Sequence, residues 1–260
     1  MKLSVGVFFG GCSTEHEVSV ISAVQAMHAL DTEKYQVTPF YTTKQGVLYT
    51  GEALLQIENY RNIPALLEQC TQAAILRRSE SEVWAVRAQP KKFGSNDLVR
   101  LDLAFPIVHG TNTEDGSIQG FFETLRLPYV GCGVLGSAVC MDKIIANRVM
   151  DATGIPRCEW DCMERWQRPE LAVIARRAAE KLGWPIFVKP ANAGSSVGIS
   201  KARDMAELEA AVDLALQHDS RVVFERFVQG QEVECAVRGN DEVSGTHPGE
   251  ILASAEFYTY

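Results

Sequence analysis

No run of about 18 consecutive apolar residues occurs in this 260-residue chain, so no helix in it is expected to span a bilayer. The apolar stretch after Met1-Lys2 is too short for a signal peptide, and a cytoplasmic location is expected. Positive charge is scarce: 25 Lys and Arg stand against 33 Asp and Glu, a net charge of −8 with no basic block. That argues against broad binding to nucleic acid or to an anionic membrane, and leaves room for one local basic pocket. The seven cysteines include no C-x-x-C pair, and Cys158/Cys162 has no partner pair at zinc spacing. No metal site is expected from them, only reduced and mostly packed thiols. A Walker A loop is also missing.

What is present is an ordinary globular composition, 46% hydrophobic and 22% charged, long enough for two domains. The stretch Lys189-Pro190-Ala191-Asn192-Ala193-Gly194-Ser195-Ser196-Val197-Gly198 follows the apolar run Ile186-Phe187-Val188. Glycines let a backbone approach an anion closely, successive N–H groups form a nest, and the serines and Lys189 add donors and charge. The same residues also suit a plain surface hairpin.

Leu3 to Phe9 reads as a buried strand ending in Gly10-Gly11-Cys12-Ser13-Thr14-Glu15-His16-Glu17, before a helix with Val18, Ile21 and Val24 inward. Ligands of open α/β sheets sit at the carboxyl ends of strands, which makes Glu15 and His16 candidates; helix capping explains Glu15 equally well. Residues 42–100 read as an insertion with a hairpin at Gln45-Gly46, a helix over Ala65–Cys70 and loops from Ser79 to Asp97. Leu101 to Val108, broken by Pro106, delivers His109-Gly110, and Pro128-Tyr129-Val130 is read as another strand. Gly131-Cys132-Gly133-Val134-Leu135-Gly136 is a literal G-x-G-x-x-G, but the acid at the right distance, Asp151, falls inside a helix. A dinucleotide-binding oxidoreductase is therefore the minor alternative. Met141-Asp142-Lys143 opens a helix with Ile145 and Val149 inward. Pro169 to Leu182 is a helix closed by Gly183 and Pro185, and Asp204 to Glu207 resembles a capping box. Strands follow over Arg221–Val228 and Glu232–Arg238, and another begins in Glu250–Tyr260.

Five of these motifs together resemble D-alanine–D-alanine ligases: Gly10 to Ser19; His109-Gly110 with Glu114-Asp115-Gly116; Pro128 to Gly133; Met141-Asp142-Lys143; and Val188-Lys189-Pro190 with Gly194 to Gly198. Phe257-Tyr258 continues the order. The resemblance implies an α/β N-terminal domain plus α+β ATP-grasp lobes. The N-terminal substrate domain would cover residues 1–136, the first lobe 137–222 and the start of the second 223–260.

By that resemblance, Glu15 holds the ammonium of the first D-alanine and His109 lines its pocket. Ser195 and Ser196 sit on a loop covering phosphates and substrate, with Glu15 and Ser195 catalytic. Lys143 and Lys189 reach the ATP phosphates, Glu225, Arg226 and Val228 meet the adenine, and Glu232 the ribose. The implied activity is ATP-dependent joining of two D-alanines for peptidoglycan and cell shape, with magnesium, in a homodimer. Thr113, Arg126 and Arg226 depart from the usual family residues. Family members continue past Tyr260 with the magnesium-ligating acids. The expectation is therefore a second lobe incomplete in this chain, inactive by itself; the alternative is a non-catalytic nucleotide-binding fragment or relative.

Overall fold

A computed structural model describes residues 1–252, and the Phe257-Tyr258 ending lies outside them. The chain divides into two compact units, Met1–Asp142 and Lys143–Tyr260.

The first unit begins with strand β1 (Leu3–Gly10), helix α1 (His16–Ala29) and strand β2 (Tyr35–Thr42). It continues with β3 (Leu48–Thr50), α2 (Ile63–Glu68), β4 (Thr71–Arg77), β5 (Val83–Arg87), β6 (Asp97–Leu101) and β7 (Leu103–Ile107). Helices α3 (Ser117–Thr124) and α4 (Val134–Met141) complete it. One seven-stranded sheet runs in the order β6-β5-β4-β3-β2-β1-β7. β1 pairs in parallel with β2 and β7, while β2 through β6 pair antiparallel. Residues 42–100 thus extend the central sheet, and a strand, β5, stands where only loop is expected from the sequence.

The two ends of the strand order, β6 and β7, are joined by the single residue Asp102, so the sheet must curl back on itself. Ser4 clips this turn: its N–H donates to the Asp102 carboxylate at 2.9 Å and its hydroxyl donates to the Arg100 carbonyl at 2.6 Å. The expected break at Pro106 is absent, because the proline sits within β7 and the turn falls at Asp102.

Alternation along β1 sends Val5, Val7 and Phe9 into a core with Val20, Ala23, Val24 and Met27 of α1. Phe8 joins the opposite core, stacked on Phe40 at 4.9 Å and tilted against Phe122. The buried stripe of α1 is shifted from the expected one, leaving Ile21 49% exposed. Pro128 to Val130 contributes one isolated bridge, Ala104 to Tyr129, in place of the expected strand.

The second unit comprises α5 (Lys143–Thr153), β8 (Trp160–Glu164), α6 (Leu171–Leu182), β9 (Ile186–Pro190), β10 (Ser200–Ala202), α7 (Met205–His218) and β11 (Arg221–Arg226). Four two-residue strands follow: β12 (Val233–Glu234), β13 (Val237–Arg238), β14 (Ser244–Gly245) and β15 (Gly249–Glu250). Its main sheet, β10-β9-β11-β8, is wholly antiparallel. Ile186, Val188, Val222 and Phe224 pack against α6 and α7 on one face, and Val223 meets Ile144 and Trp160 on the other. α6 buries Leu171, Ile174, Ala175, Ala178 and Leu182, the stripe expected from its periodicity. The phase of α5 is different: Ile144 and Asn147 face inward and Val149 is exposed, because α4 stops at Met141 and a new helix starts at Lys143. Asp204 caps α7 by accepting from the Glu207 N–H, while Glu207 reaches back to Arg203 N–H and not to the cap residue.

All seven cysteines are free. Cys12, Cys132, Cys140 and Cys235 are exposed and the other three half-buried, so the expectation of mostly packed thiols is corrected.

Candidate functional site

In the first unit, the loops that leave β1 and β7 meet. Gly10 and Gly11 take φ of +83° and +103°, conformations open to glycine, and turn the chain into α1 with Glu15 at its N-cap. The Ser13 hydroxyl donates to the His109 carbonyl at 2.6 Å and accepts from the Glu15 N–H at 3.2 Å, tying the loops together. Glu15 is buried, and its carboxylate lies so close over Gly110 that a Cβ there would stand 2.4 Å from Oε2. Glu114 receives the Gly110 N–H at 2.7 Å and faces His109 Nδ1 at 3.7 Å.

These carboxylates set the charge of the histidine. Its contact with Glu114 raises the His109 pKa; burial opposes this, and the charges of Glu114 and Glu15 add to the rise. Burial works to raise the Glu114 carboxyl, but His109 and the Gly110 N–H together outweigh it and hold the group below its ordinary value. His109 Nε2 is buried with no hydrogen-bond partner among the described residues. Buried polar atoms are ordinarily satisfied, so an atom like this marks a place for a ligand or an ordered water.

In the second unit, β9 and β11 put Phe187, Lys189, Val223 and Glu225 on one sheet face, with Glu225 opposite Phe187 and diagonal to Lys189. Lys189 Nζ donates to Glu225 Oε2 at 2.5 Å. A cavity of about 750 Å³ opens here, walled by Phe187, Ile199, Phe227 and Val228, with Lys189 and Ser196 at one side and Glu232 on its rim. Apolar walls with a few polar groups are typical of a small-molecule site.

The glycine loop beyond β9 is held from several directions. Lys143 N–H donates to the Ala191 carbonyl at 3.0 Å and Lys143 Nζ to the Ala193 carbonyl at 2.7 Å. The Asp219 carboxylate accepts from both the backbone and the side-chain amide of Asn192, at 2.8 and 3.0 Å. Ser195 and Ser196 are left-handed at φ +44° and +58°, a strained conformation that is concentrated at functional loops. Gly198, at φ +71°, fits against His218 and Pro190 where a Cβ would come within 2.5 Å of His218 Cδ2.

Of the residues proposed from sequence, Glu15 and His109 are therefore adjoining in the first unit, and Lys189, Ser196, Val228 and Glu232 line one cavity in the second. Glu225 reaches that cavity through Lys189. Lys143 and Ser195 belong to the loop and its anchor. Arg226 is the exception: its side chain turns to the other sheet face, donating to the Leu182 carbonyl at 2.9 Å and pairing with Glu159 at 2.5 Å. Sequence reasoning missed Asp219, an acid at a helix-to-strand turn with no motif around it. The G-x-G-x-x-G is no dinucleotide loop: Asp151 is occupied by Arg157 and the Trp160 indole.

Two family matches decide the kinship: residues 4–132 match the D-ala D-ala ligase N-terminus, and residues 149–260 the D-ala D-ala ligase C-terminus. The chain belongs to the D-alanine–D-alanine ligase family. A D-alanine–D-alanine ligase of Caldicellulosiruptor bescii is 41% identical, with 100% of this chain and 69% of the relative covered. D-alanine–D-alanine ligase A of Chromobacterium violaceum is 42% identical at the same coverage. Among solved structures, the VanG D-Ala:D-Ser ligase of Enterococcus faecalis superposes with a TM-score of 0.83 at 33% identity, over 100% of this chain and 73% of that one. The D-alanine–D-alanine ligase of Coxiella burnetii gives 0.82 at 33% identity, over 96% and 71%.

No helix among the described residues is long and apolar enough to cross a membrane. Among those residues, too, no group of three or more His, Cys, Asp and Glu side chains could hold a metal ion.

Proposed function

We propose that the chain is an ATP-dependent carboxylate–amine ligase that joins two D-alanines through an acyl phosphate, for peptidoglycan synthesis. The observation that carries this reading is the cavity of about 750 Å³, roomy enough for a nucleotide, whose apolar walls adjoin Lys189 and the strained serine loop. Phe187, Val228 and Phe227 would enclose the base, Glu225 and Glu232 would meet adenine and ribose, and Lys189 and Lys143 would face the phosphates. Glu15 and His109 would take the ammonium and the pocket wall of the first D-alanine.

A carboxylate resists attack by an amine. In the proposed reaction its oxygen first bonds to the γ-phosphorus, and ADP leaves with the electrons of the broken P–O bond. The second amine, as its free base, then attacks the acyl carbon; the C–N bond forms, the acyl C–O bond breaks, and phosphate leaves with those electrons and the proton the nitrogen gives up. Cations fixed beside the transferring group offset its charge without reorganising, which is where phosphoryl-transfer catalysis mostly arises. Ser195 and Ser196 would cover the intermediate and keep water from it.

The test is incubation with ATP, magnesium and D-alanine: ADP and D-alanyl-D-alanine released together support the ligase reading and would correct the expectation from sequence that this chain is inactive by itself. Stabilisation by ATP without D-alanine-dependent ADP release would leave a nucleotide-binding protein only, and stabilisation by NAD alone would refute both. The reading includes a cytoplasmic homodimer as the working form, which sedimentation velocity measures.

A further inference from the structure

The first unit holds another cavity, of about 630 Å³, that none of the roles above uses. Its walls are apolar: Val20 and Ile21 of α1 face Ile57, Tyr60 and Ile63 from the segment before and within α2. Ile21 and Ile57 are 49% and 39% exposed, large apolar side chains left open around a hollow. Such a space hydrates poorly and favours an apolar occupant. At its edge Lys44 pairs with Glu17 at 2.5 Å, while the exposed Arg61 makes no ion pair among the described residues. Two cations against one carboxylate leave a single net positive charge there.

The floor is wired to the Glu15 loop. A carbonyl can only accept, so His16 Nδ1 donates to the Gly11 carbonyl at 2.7 Å. In the neutral ring Nε2 then accepts from the Tyr41 hydroxyl, at 2.9 Å. Burial and the Glu17 charge push the Tyr41 pKa up to about 12, so its hydroxyl keeps the proton it donates. An occupant that shifts Tyr41 therefore acts on the carbonyl of Gly11, four residues before Glu15.

We propose that this cavity is a second ligand site for a small amphipathic anion, its apolar body against Ile21, Ile57 and Tyr60 and its one anionic group facing Arg61 and Lys44. The site does not depend on the ligase reading, since neither ATP nor D-alanine enters the argument.

Fluorescence titration of the full chain with 8-anilinonaphthalene-1-sulfonate tests it, with uncharged N-phenyl-1-naphthylamine as the second probe. The sulfonate is expected to fill one saturable site. Ile21→Glu weakens both probes about tenfold by placing a charge in the apolar wall, and Arg61→Glu weakens the sulfonate alone by about fivefold. Both positions are on the surface, so melting temperatures of the variants stay within ~2 °C of the parent. In amide NMR spectra the bound sulfonate shifts the Gly11 and Cys12 signals, and Tyr41→Phe keeps the binding while abolishing that shift. Non-saturable binding, or sulfonate affinity unchanged by both charge substitutions, overturns the site. Unmoved Gly11 and Cys12 signals in the parent overturn its link to the loop.

Discussion

Replacing Lys189 by methionine separates what this lysine does for the fold from what it does for a nucleotide. The ion pair with Glu225 has side chains 24% and 15% exposed, between a surface pair worth at most about 1 kcal/mol and a fully buried one whose rupture costs about 3–5 kcal/mol. A loss of about 2 kcal/mol follows for Lys189→Met, because Glu225 is left half-desolvated without its partner. For a chain of this size that lowers the melting temperature by roughly 4–8 °C. If Lys189 also meets phosphate, a charge-assisted contact worth about 1.5–3 kcal/mol is removed, weakening ATP binding by about 10- to 100-fold. The double variant Lys189→Met/Glu225→Leu removes the orphaned carboxylate as well. Its melting temperature is expected to return to within ~2 °C of the parent while ATP affinity stays low. Thermal denaturation and a fluorescent-nucleotide titration on all three proteins read both effects. Recovery of ATP affinity together with stability in the double variant would show that Lys189 serves the sheet and not the nucleotide.

At Gly110, alanine is strained at φ +80° by about 1 kcal/mol and its Cβ displaces the Glu15 carboxylate. Gly110→Ala is therefore expected to raise the D-alanine KM strongly with only a small fall in melting temperature; an unchanged KM would contradict the role given to Glu15. Asp219→Ala removes both bonds to Asn192 and should destabilise by about 1–3 kcal/mol, with amide exchange quickening through residues 191–199 and not in α6. The His109 pKa is raised, so its pairing with Glu114 stabilises the fold fully below the unfolded histidine value of about 6.5 and fades as pH rises through the folded value. The Glu114 pKa is lowered, so its share is present above about 4.5 and is lost as pH falls through its own folded value. Glu114→Gln should flatten the pH dependence of stability in the neutral range and bring the NMR titration midpoint of His109 down; an unmoved midpoint would contradict the pairing.

The parts of this molecule legible in the sequence are those with a short-range cause. The α6 stripe and its Gly183 stop, the Asp204 cap and the glycine turn after β1 each depend on residues within a turn or two of one another. The α1 and α5 stripes were misphased because burial there is set by neighbours distant in the chain, and Ile21 lines a hollow that no local pattern marks. Strand β5 was legible too, as the apolar run Val83-Trp84-Ala85-Val86, but polar residues on both sides of it masked the signal. Glu15, His109, Lys189 and Ser196 stood out because strand ends and glycine loops are where ligands gather. Arg226 misled for a simple reason: neighbours on a strand point to opposite faces, so a residue beside Glu225 cannot share its side of the sheet.

The central claim, that the base of ATP lies in the cavity between β9 and the segment after β11, is tested most directly by photolabelling with 8-azido-ATP and mapping the modified peptide. The account predicts label on the segments carrying Phe187 and Phe227 to Glu232, suppressed by excess ATP. Label on Gly131 to Gly136, or label that excess ATP leaves unchanged, would contradict it.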